Sequence, residues 1–163
     1  MQRGRREGFS IIELLIVLGI ISILSAIVIA NYLTGLQRAR QKRTMADIRN
    51  AATAWEARAV EIRAYNAAGF TYPTQPVTIS QLMAILVPTY TKVLPRADGW
   101  GKDLEFTIDK PFAGTEDASY YAIRSAGSDS TFESPPYTPG ATTQFECDIV
   151  YSAGQFVVYP ASK

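Results

Sequence analysis

The stretch GFSIIELLIVLGIISILSAIVIANYL at residues 8–33 sets the main constraint on how this chain folds. From residue 14 to residue 37 there is no charged side chain, a run of 24 positions. About 20 apolar residues in a helix are enough to cross the hydrocarbon core of a bilayer. The sequence therefore predicts one membrane-spanning helix, with the residues that follow it outside the membrane.

The flanks of this run leave several explanations open. Arg3, Arg5 and Arg6 precede it, and positive charge on that side favours a cytoplasmic N-terminus. A cleaved secretory signal has a shorter apolar region, although Val28 and Ala30 form an acceptable small-residue cleavage site. Neither such a signal nor a plain one-pass anchor explains Glu13, because a carboxylate inside an apolar run costs about 2–3 kcal/mol, by analogy with Asp.

These residues resemble the N-terminus of class III signal proteins, the type IV pilins and the pseudopilins of type II secretion. The shared pattern is a short basic leader that ends in Gly8, then Phe9, then Glu13, then an apolar helix. The resemblance implies that a prepilin peptidase cuts after Gly8 and methylates the new amine of Phe9. It also implies three segments: a leader at 1–8, a transmembrane or filament-core helix at 9–36, and a periplasmic domain at 37–163.

The same resemblance gives Glu13 a role in assembly. Glu13 lies four residues after Phe9, on the same face of a helix. The two charges can neutralise each other within one subunit, or Glu13 can meet the Phe9 amine of a neighbour in a filament. The second arrangement would fix the register, because a misplaced subunit leaves a charge unpaired in an apolar core. At the position of Ala30 the family often has proline. The sequence therefore leaves open whether the helix is intact or locally unwound there.

The composition excludes several classes of chemistry. Lys plus Arg is 16 and Asp plus Glu is 15, and this balance argues against binding nucleic acid through a basic surface. Without histidine, the chain has no His-based triad, metal ligand or pH switch. A single cysteine cannot form an intramolecular disulfide. With no catalytic motif in view, we predict that the chain is not an enzyme; a membrane-tethered periplasmic enzyme or binding domain is the rival.

The helical pattern continues beyond the apolar run. Apolar side chains recur at three- and four-residue steps from residue 36 to residue 66, and they place Met45 and Trp55 on a core-facing side. The pattern predicts one helix from Phe9 to about Asn66, with Gly69 as its stop signal.

Short strands are predicted to cover the second half of this helix. Thr78 and Gln81 form a capping-box pattern that opens a short helix, Ile79 to Leu86. The alternation and turn residues predict strands at 104–109, 119–124, 148–152 and 155–159, turns at 94–103, and a loop at 125–146. Three or four antiparallel strands against a helix make an α+β domain. Cys147 is expected to be a buried thiol at a strand edge.

The second half resembles the major pseudopilin of type II secretion. The resembling segments are DGWGKDLEF at 98–106, YYAIRSAGSDS at 120–130 and DIVYSAGQFVVYP at 148–160. In that family the corresponding loop binds calcium, which implies a site made of Asp129, Asp148 and main-chain carbonyls near Ser125 and Ser128. Two further candidate ligands are Glu133 and Glu146. The alternative is that these are solvated turn acids.

The expected function is that of a structural pseudopilin that assembles from the bacterial inner membrane into a periplasmic filament. The resemblance implies as partners the chain itself, minor pseudopilins or pilins, the prepilin peptidase, an inner-membrane assembly platform and, before assembly, the lipid bilayer. A type IV pilus subunit for adhesion, motility or DNA uptake is the alternative, although no nucleic-acid partner is expected. Charge is also segregated, since residues 38–63 carry a net +4 and residues 98–148 a net −7. This segregation is either a solubilising surface or a means of steering lateral assembly.

Overall fold

The computed structural model describes residues 8–62, 75–112 and 118–161. The chain divides into two compact units, Met1–Leu36 and Gln37–Lys163. The predicted helix end near Asn66 and its stop at Gly69 lie outside the described residues, as does most of the basic leader.

The first helix, α1, spans Ile11–Ile62. Every large apolar side chain from Phe9 to Leu36 is exposed, and that of Phe9 is exposed to 82%. Within the described residues, α1 is the helix whose length and composition would let it cross a membrane. Apolar side chains on every face are suited to surroundings that are apolar on every side, such as lipid tails or other copies of the same helix.

Three polar side chains within the apolar part of α1 bond to the helix itself. The Ser22 hydroxyl donates to the carbonyl of Leu18 at 2.7 Å, and the Thr34 hydroxyl donates to that of Ala30 at 3.1 Å. The Asn31 side chain donates to the carbonyl four residues earlier at 3.2 Å. Polar groups satisfied in this way can enter lipid at low cost.

In the second unit, α1 buries one face against the sheet. Ile48, Ala52 and Trp55 are almost fully buried, whereas Thr53 and Val60 are exposed. This spacing is the amphipathic pattern that the sequence predicts. Trp55 lies in the core, as expected, and Met45 is half-buried and packs against the core.

Six strands form one sheet in the order β1-β2-β3-β5-β6-β4. The strands are β1 Gln75–Val77, β2 Glu105–Ile108, β3 Tyr121–Ser125, β4 Gly140–Thr142, β5 Ile149–Ser152 and β6 Gln155–Pro160. Neighbouring strands are antiparallel except for β4, which pairs parallel to β6. A long helix with a small, mostly antiparallel sheet confirms the α+β, type IV pilin-like arrangement that the sequence predicts.

The strand count and the cysteine differ from the sequence prediction. The described residues form six strands rather than three or four, and β1 and β4 were not predicted. Each has three residues, too few to show the alternation by which strands are recognised. β4 lies inside the segment predicted to be a loop. Cys147 is half-exposed rather than buried, because β5 begins two residues later, at Ile149.

The predicted local signals at α2 and at the last turn are confirmed. α2 spans Ile79–Leu86, and the Thr78 and Gln81 side chains bond reciprocally to each other's backbone N–H groups. Ala153 and Gly154 join β5 to β6 with φ of 51° and 82°, the geometry of a two-residue hairpin turn with both residues left-handed.

The core of the second unit lies between α1, α2 and the sheet. The Trp55 ring centroid lies 4.9 Å from that of Tyr121 and 6.3 Å from that of Phe106. Ile48 and Ile123 are fully buried beside this aromatic cluster. Contacts of this kind hold the second half of α1 against the strands.

Ile48→Ala tests this packing. Deleting a fully buried isoleucine side chain should lower the free energy of unfolding by about 2–5 kcal/mol, because it leaves a cavity. Denaturant unfolding of the full chain in detergent micelles, followed by the fluorescence of Trp55 and Trp100, measures the change. Val60→Ala, at a position exposed to 79%, is the matched control and should have almost no effect. Equal losses from the two variants would contradict the assigned core.

Candidate functional sites at the chain start and around Asp148

Ser10 caps the start of α1. The Glu13 Oε2 atom accepts a hydrogen bond from the Ser10 backbone N–H at 3.0 Å. The Ser10 hydroxyl in turn accepts from the N–H of Ile12 at 3.4 Å. Glu13 therefore already has a partner at the helix start, and its negative charge there is favoured by the helix dipole.

This capping role of Glu13 was not predicted, although the Ser-x-x-Glu spacing at Ser10 and Glu13 signals a helix start. The predicted pairing of Glu13 with the amine of Phe9 concerns the cleaved chain and stays a prediction. In the structure Phe9 precedes α1, whereas Glu13 lies in its first turn.

The predicted cleavage point is open to a protease. Gly8, Phe9 and Ser10 are exposed and precede the helix. A Cβ atom added at Gly8 would meet no atom within 4 Å. A larger residue at position 8 can therefore be accommodated by the chain itself, so a requirement for glycine would come from the peptidase.

A second cluster of polar groups surrounds Asp148, which is fully buried just before β5. Its Oδ2 atom accepts from the Tyr137 hydroxyl at 2.9 Å and from the Glu133 backbone N–H at 3.1 Å. The Arg124 guanidinium lies 3.7 Å from the same oxygen. Among the described residues, Asp148 Oδ1 is a buried side-chain oxygen with no hydrogen-bond donor in range.

Burial raises the pKa of Asp148 to about 6. The bonds from Tyr137 and the Glu133 backbone, and the charge of Arg124, oppose this rise without cancelling it. The same burial, together with the Asp148 carboxylate, raises the pKa of Tyr137, so the phenol stays protonated and can donate. The donors and the positive charge around the ionised carboxylate therefore do not fully compensate for its loss of hydration.

Arg124 joins the sheet to the long loop that precedes Asp148. Its side chain is exposed to only 11% and pairs with Glu105 on the neighbouring strand β2. The same guanidinium donates to the Glu133 carbonyl at 2.9 Å and stacks 4.3 Å from the ring centroid of Phe132. Arg124 was not predicted, since a single arginine in a strand gives no sign of partners elsewhere in the chain.

The structure brings the predicted calcium ligands to one end of the sheet. Ser125 ends β3 and pairs with Ile149, the residue after Asp148, while Ser128 and Asp129 lie in the short 3₁₀ turn that follows β3. The Asp129 carboxylate is exposed and accepts from the Thr131 N–H at 2.9 Å. Within the described residues, no group of three or more acidic or cysteine side chains is placed to share a metal ion.

Gly127 packs against the chain just before Asp148. Its φ is +67°, and a Cβ there would lie 2.7–2.8 Å from the carbonyl oxygens of Phe145, Glu146 and Cys147. Three successive carbonyls therefore converge beside the turn, and a side chain at position 127 would force them apart. Glu133 and Glu146 themselves carry exposed side chains.

The DGWG turn is a third polar cluster, and its buried carboxylate was not predicted. Asp98 Oδ1 accepts from the N–H groups of Trp100 and Lys102, and Oδ2 accepts from the Ser125 hydroxyl at 2.6 Å. The Gly99 N–H donates to the Thr44 hydroxyl of α1 at 2.8 Å. The Ser125 hydroxyl is therefore already hydrogen-bonded. The calcium ligand that the resemblance implies at Ser125 would be its main-chain carbonyl.

Residues 3–29 match the family described as the prokaryotic N-terminal methylation motif. Neither a curated protein nor a solved structure matches the chain. The matched motif supports the type IV pilin superfamily and indicates a type IV pilin-like subunit, a structural class that is not enzymatic. Together with the apolar part of α1, it fits a membrane-anchored, single-pass protein that a prepilin peptidase processes.

Gly8→Val tests the cleavage point. The bulky residue should leave the precursor uncut, whereas the wild-type chain should begin at Phe9 with a methylated amine. Mass spectrometry of the intact chain from cells that contain the peptidase distinguishes the two forms. Gly19→Val, at another open glycine, is the control and should be processed normally. A mature chain that begins elsewhere would contradict the assignment.

Arg124→Met tests the cluster around Asp148. Removing one partner of a buried ion pair should cost about 3–5 kcal/mol of unfolding free energy. Asp148→Asn in the same background should recover part of this loss, because it removes the uncompensated charge. The control is Arg96→Met, whose pair with Asp103 is exposed at 71% and 61% and should be worth at most about 1 kcal/mol. Equal losses at the two arginines would show that burial does not set the cost.

Proposed function

We propose that this chain is a pseudopilin, a structural subunit that assembles from the inner membrane into a periplasmic filament of a type II secretion system. The observation that carries the proposal is the methylation motif at residues 3–29, at the start of a helix that is apolar on all faces up to Leu36. Helices of this kind can lie in lipid before assembly and pack against one another afterwards, because both surroundings are apolar.

The second unit supports a pseudopilin rather than a pilus subunit. The three segments that resemble the major pseudopilin form the DGWG turn and the strands β2, β3, β5 and β6. The polar contacts of Asp98 and Arg124 join these segments to one another. The methylation motif is common to both kinds of filament, so the distinction depends on this second unit.

We include a calcium ion at the Asp148 turn in the proposal. The buried Oδ1 atom of Asp148 has no hydrogen-bond donor in the described structure, and the raised pKa indicates that positive charge is lacking there. Calcium binds carboxylate and carbonyl oxygens and would supply that charge. Asp148, Asp129 and the main-chain carbonyls near Ser125 and Ser128 are the residues that would hold it.

Deleting the gene and restoring it separates the two kinds of filament. A pseudopilin predicts that secreted proteins accumulate in the periplasm of the deletion strain while surface filaments, seen by electron microscopy, are unchanged. A type IV pilus subunit predicts the loss of surface filaments with secretion intact. If neither secretion nor filaments changed, both assignments would be wrong.

Glu13→Gln separates the two roles of Glu13. The glutamine oxygen can still accept from the Ser10 N–H, so the start of α1 is preserved, but no charge remains to pair with the Phe9 amine. If the charge aligns subunits, Glu13→Gln should be cleaved and inserted normally and yet fail to assemble, as should Glu13→Ala. Glu13→Asp should be milder. Each variant is expressed as the sole copy, and cleavage, membrane retention and filament yield are scored separately. Normal filament yield from Glu13→Gln would contradict the pairing.

Chelation tests the calcium site. Binding at 100-fold excess over Kd stabilises the folded state by about 2.7 kcal/mol, so a chelator should lower the melting temperature of the full chain in detergent. Asp129→Asn should remove this response. Asp103→Asn, which alters an exposed acid paired with Arg96, should keep it. The same melting curve with and without chelator would make Asp129 a solvated turn acid.

A further inference from the structure

The first turns of α1 in the second unit carry a strongly basic outer face. Arg38, Lys42 and Arg43 are exposed, and the first acidic residue after them is Asp47, whose carboxylate pairs with Arg43 at 3.6 Å. At 100° per residue these three side chains fall within an arc of about 140°, opposite the buried Gln41 and Thr44. We call Arg38, Lys42 and Arg43 the basic belt.

The belt directly follows the apolar run. Arg38 is two residues after Leu36 in the same helix, so the three cations lie within about 11 Å of the end of the uncharged segment along the helix axis. The Debye length at physiological salt is about 8 Å, so Arg38, about 3 Å beyond Leu36 along the axis, lies within it, and Lys42 and Arg43 lie slightly beyond it. Headgroups around an inserted helix would therefore lie within range of these charges.

An aromatic side chain lies at the same level. The Trp100 indole N–H donates to the Gln37 side chain at 2.6 Å, and the ring is half-buried against the core. Arg43 and Arg96 line a shallow groove beside this ring. Tryptophan is favoured where hydrocarbon meets headgroups, because its ring is apolar and its N–H is polar.

The belt is not needed to set the orientation of the chain. Basic residues close to a span favour the cytoplasmic side, and Arg3, Arg5 and Arg6 already supply that signal. This inference rests on the proposed function, in which the second unit lies on the periplasmic side of the membrane. The belt then lies on the side that basic residues next to a span disfavour. Arg43 already pairs with Asp47, but one exposed ion pair still leaves the belt with a net positive charge that the orientation signal does not explain.

We propose that the basic belt and Trp100 bind anionic phospholipid headgroups of the leaflet next to the second unit. The guanidinium and ammonium groups would pair with headgroup phosphates, and Trp100 would lie at the level of the acyl–headgroup boundary. A second copy of the chain is the competing occupant. We favour lipid because the belt adjoins the span itself, so an inserted subunit meets headgroups there before any filament exists.

The test measures lipid selectivity in the full chain. Wild-type protein is reconstituted into phosphatidylcholine vesicles that contain spin-labelled phosphatidylglycerol or, in parallel, spin-labelled phosphatidylcholine. The motionally restricted fraction in electron paramagnetic resonance spectra gives the relative association of the two lipids. We expect phosphatidylglycerol to be preferred about five-fold at low salt, the effect of one basic residue at an anionic surface, with a smaller preference at high salt.

The triple variant Arg38→Gln, Lys42→Gln, Arg43→Gln should reduce this preference to near unity. The matched control removes three cations farther along the second unit, with Arg49→Gln, Arg58→Gln and Lys92→Gln, and should keep the preference. An equal loss in the control, or no preference in the wild type, would overturn the proposal. So would a triple variant that keeps its lipid preference but loses filament yield, since the belt would then contact a second copy. The vesicle measurement requires no filament, so its outcome is independent of the secretion and filament assays.

Discussion

The helix α1 carries apolar side chains on every face up to Leu36 and on one face only beyond that residue. This change of pattern determines which surroundings each part requires. The first part has a surface that only lipid or protein can cover favourably, whereas the second part is covered by the sheet of its own unit. The polar groups of Ser22, Asn31 and Thr34 are bonded internally, and the carboxylate of Glu13 is the ionisable group at the start of the helix. A chain built in this way can leave the membrane only when another apolar surface replaces the lipid.

The second unit depends on polar contacts as well as on its apolar core. Asp98 links the DGWG turn to β3, and Gly99 bonds to Thr44 of α1, so the turn is fastened to both. Arg124 links β3 to β2 and to the loop before Asp148. These contacts give the long, proline-containing loop a defined path in spite of its few apolar residues. They compensate the buried Asp148 carboxylate only in part, since its Oδ1 atom has no donor in the described structure, and this is the physical basis for proposing a cation there.

Local patterns in the sequence predicted the parts of the fold that depend on neighbouring residues. The two faces of α1, the capping box at Thr78 and the turn at Ala153 and Gly154 all follow from spacing within a few residues. The parts that were missed depend on distant partners or on very short segments. Arg124 and Asp148 are separated by the whole loop, so no local pattern relates them. β4 has three residues and exists because it pairs with β6. The capping role of Glu13, by contrast, follows from the local Ser-x-x-Glu spacing that begins at Ser10 and was predictable from it.

The proposed assembly depends on the prediction that the Glu13 carboxylate of one subunit meets the Phe9 amine of another. Solid-state NMR on filaments assembled from mixed subunits tests it directly. One population carries ¹⁵N and the other ¹³C, so any signal transferred between the Phe9 nitrogen and the Glu13 carboxyl carbon arises between subunits. The account predicts a strong transfer at this pair in the mixed filaments. A transfer seen only in filaments of doubly labelled subunits would place the pair within one chain and contradict the claim.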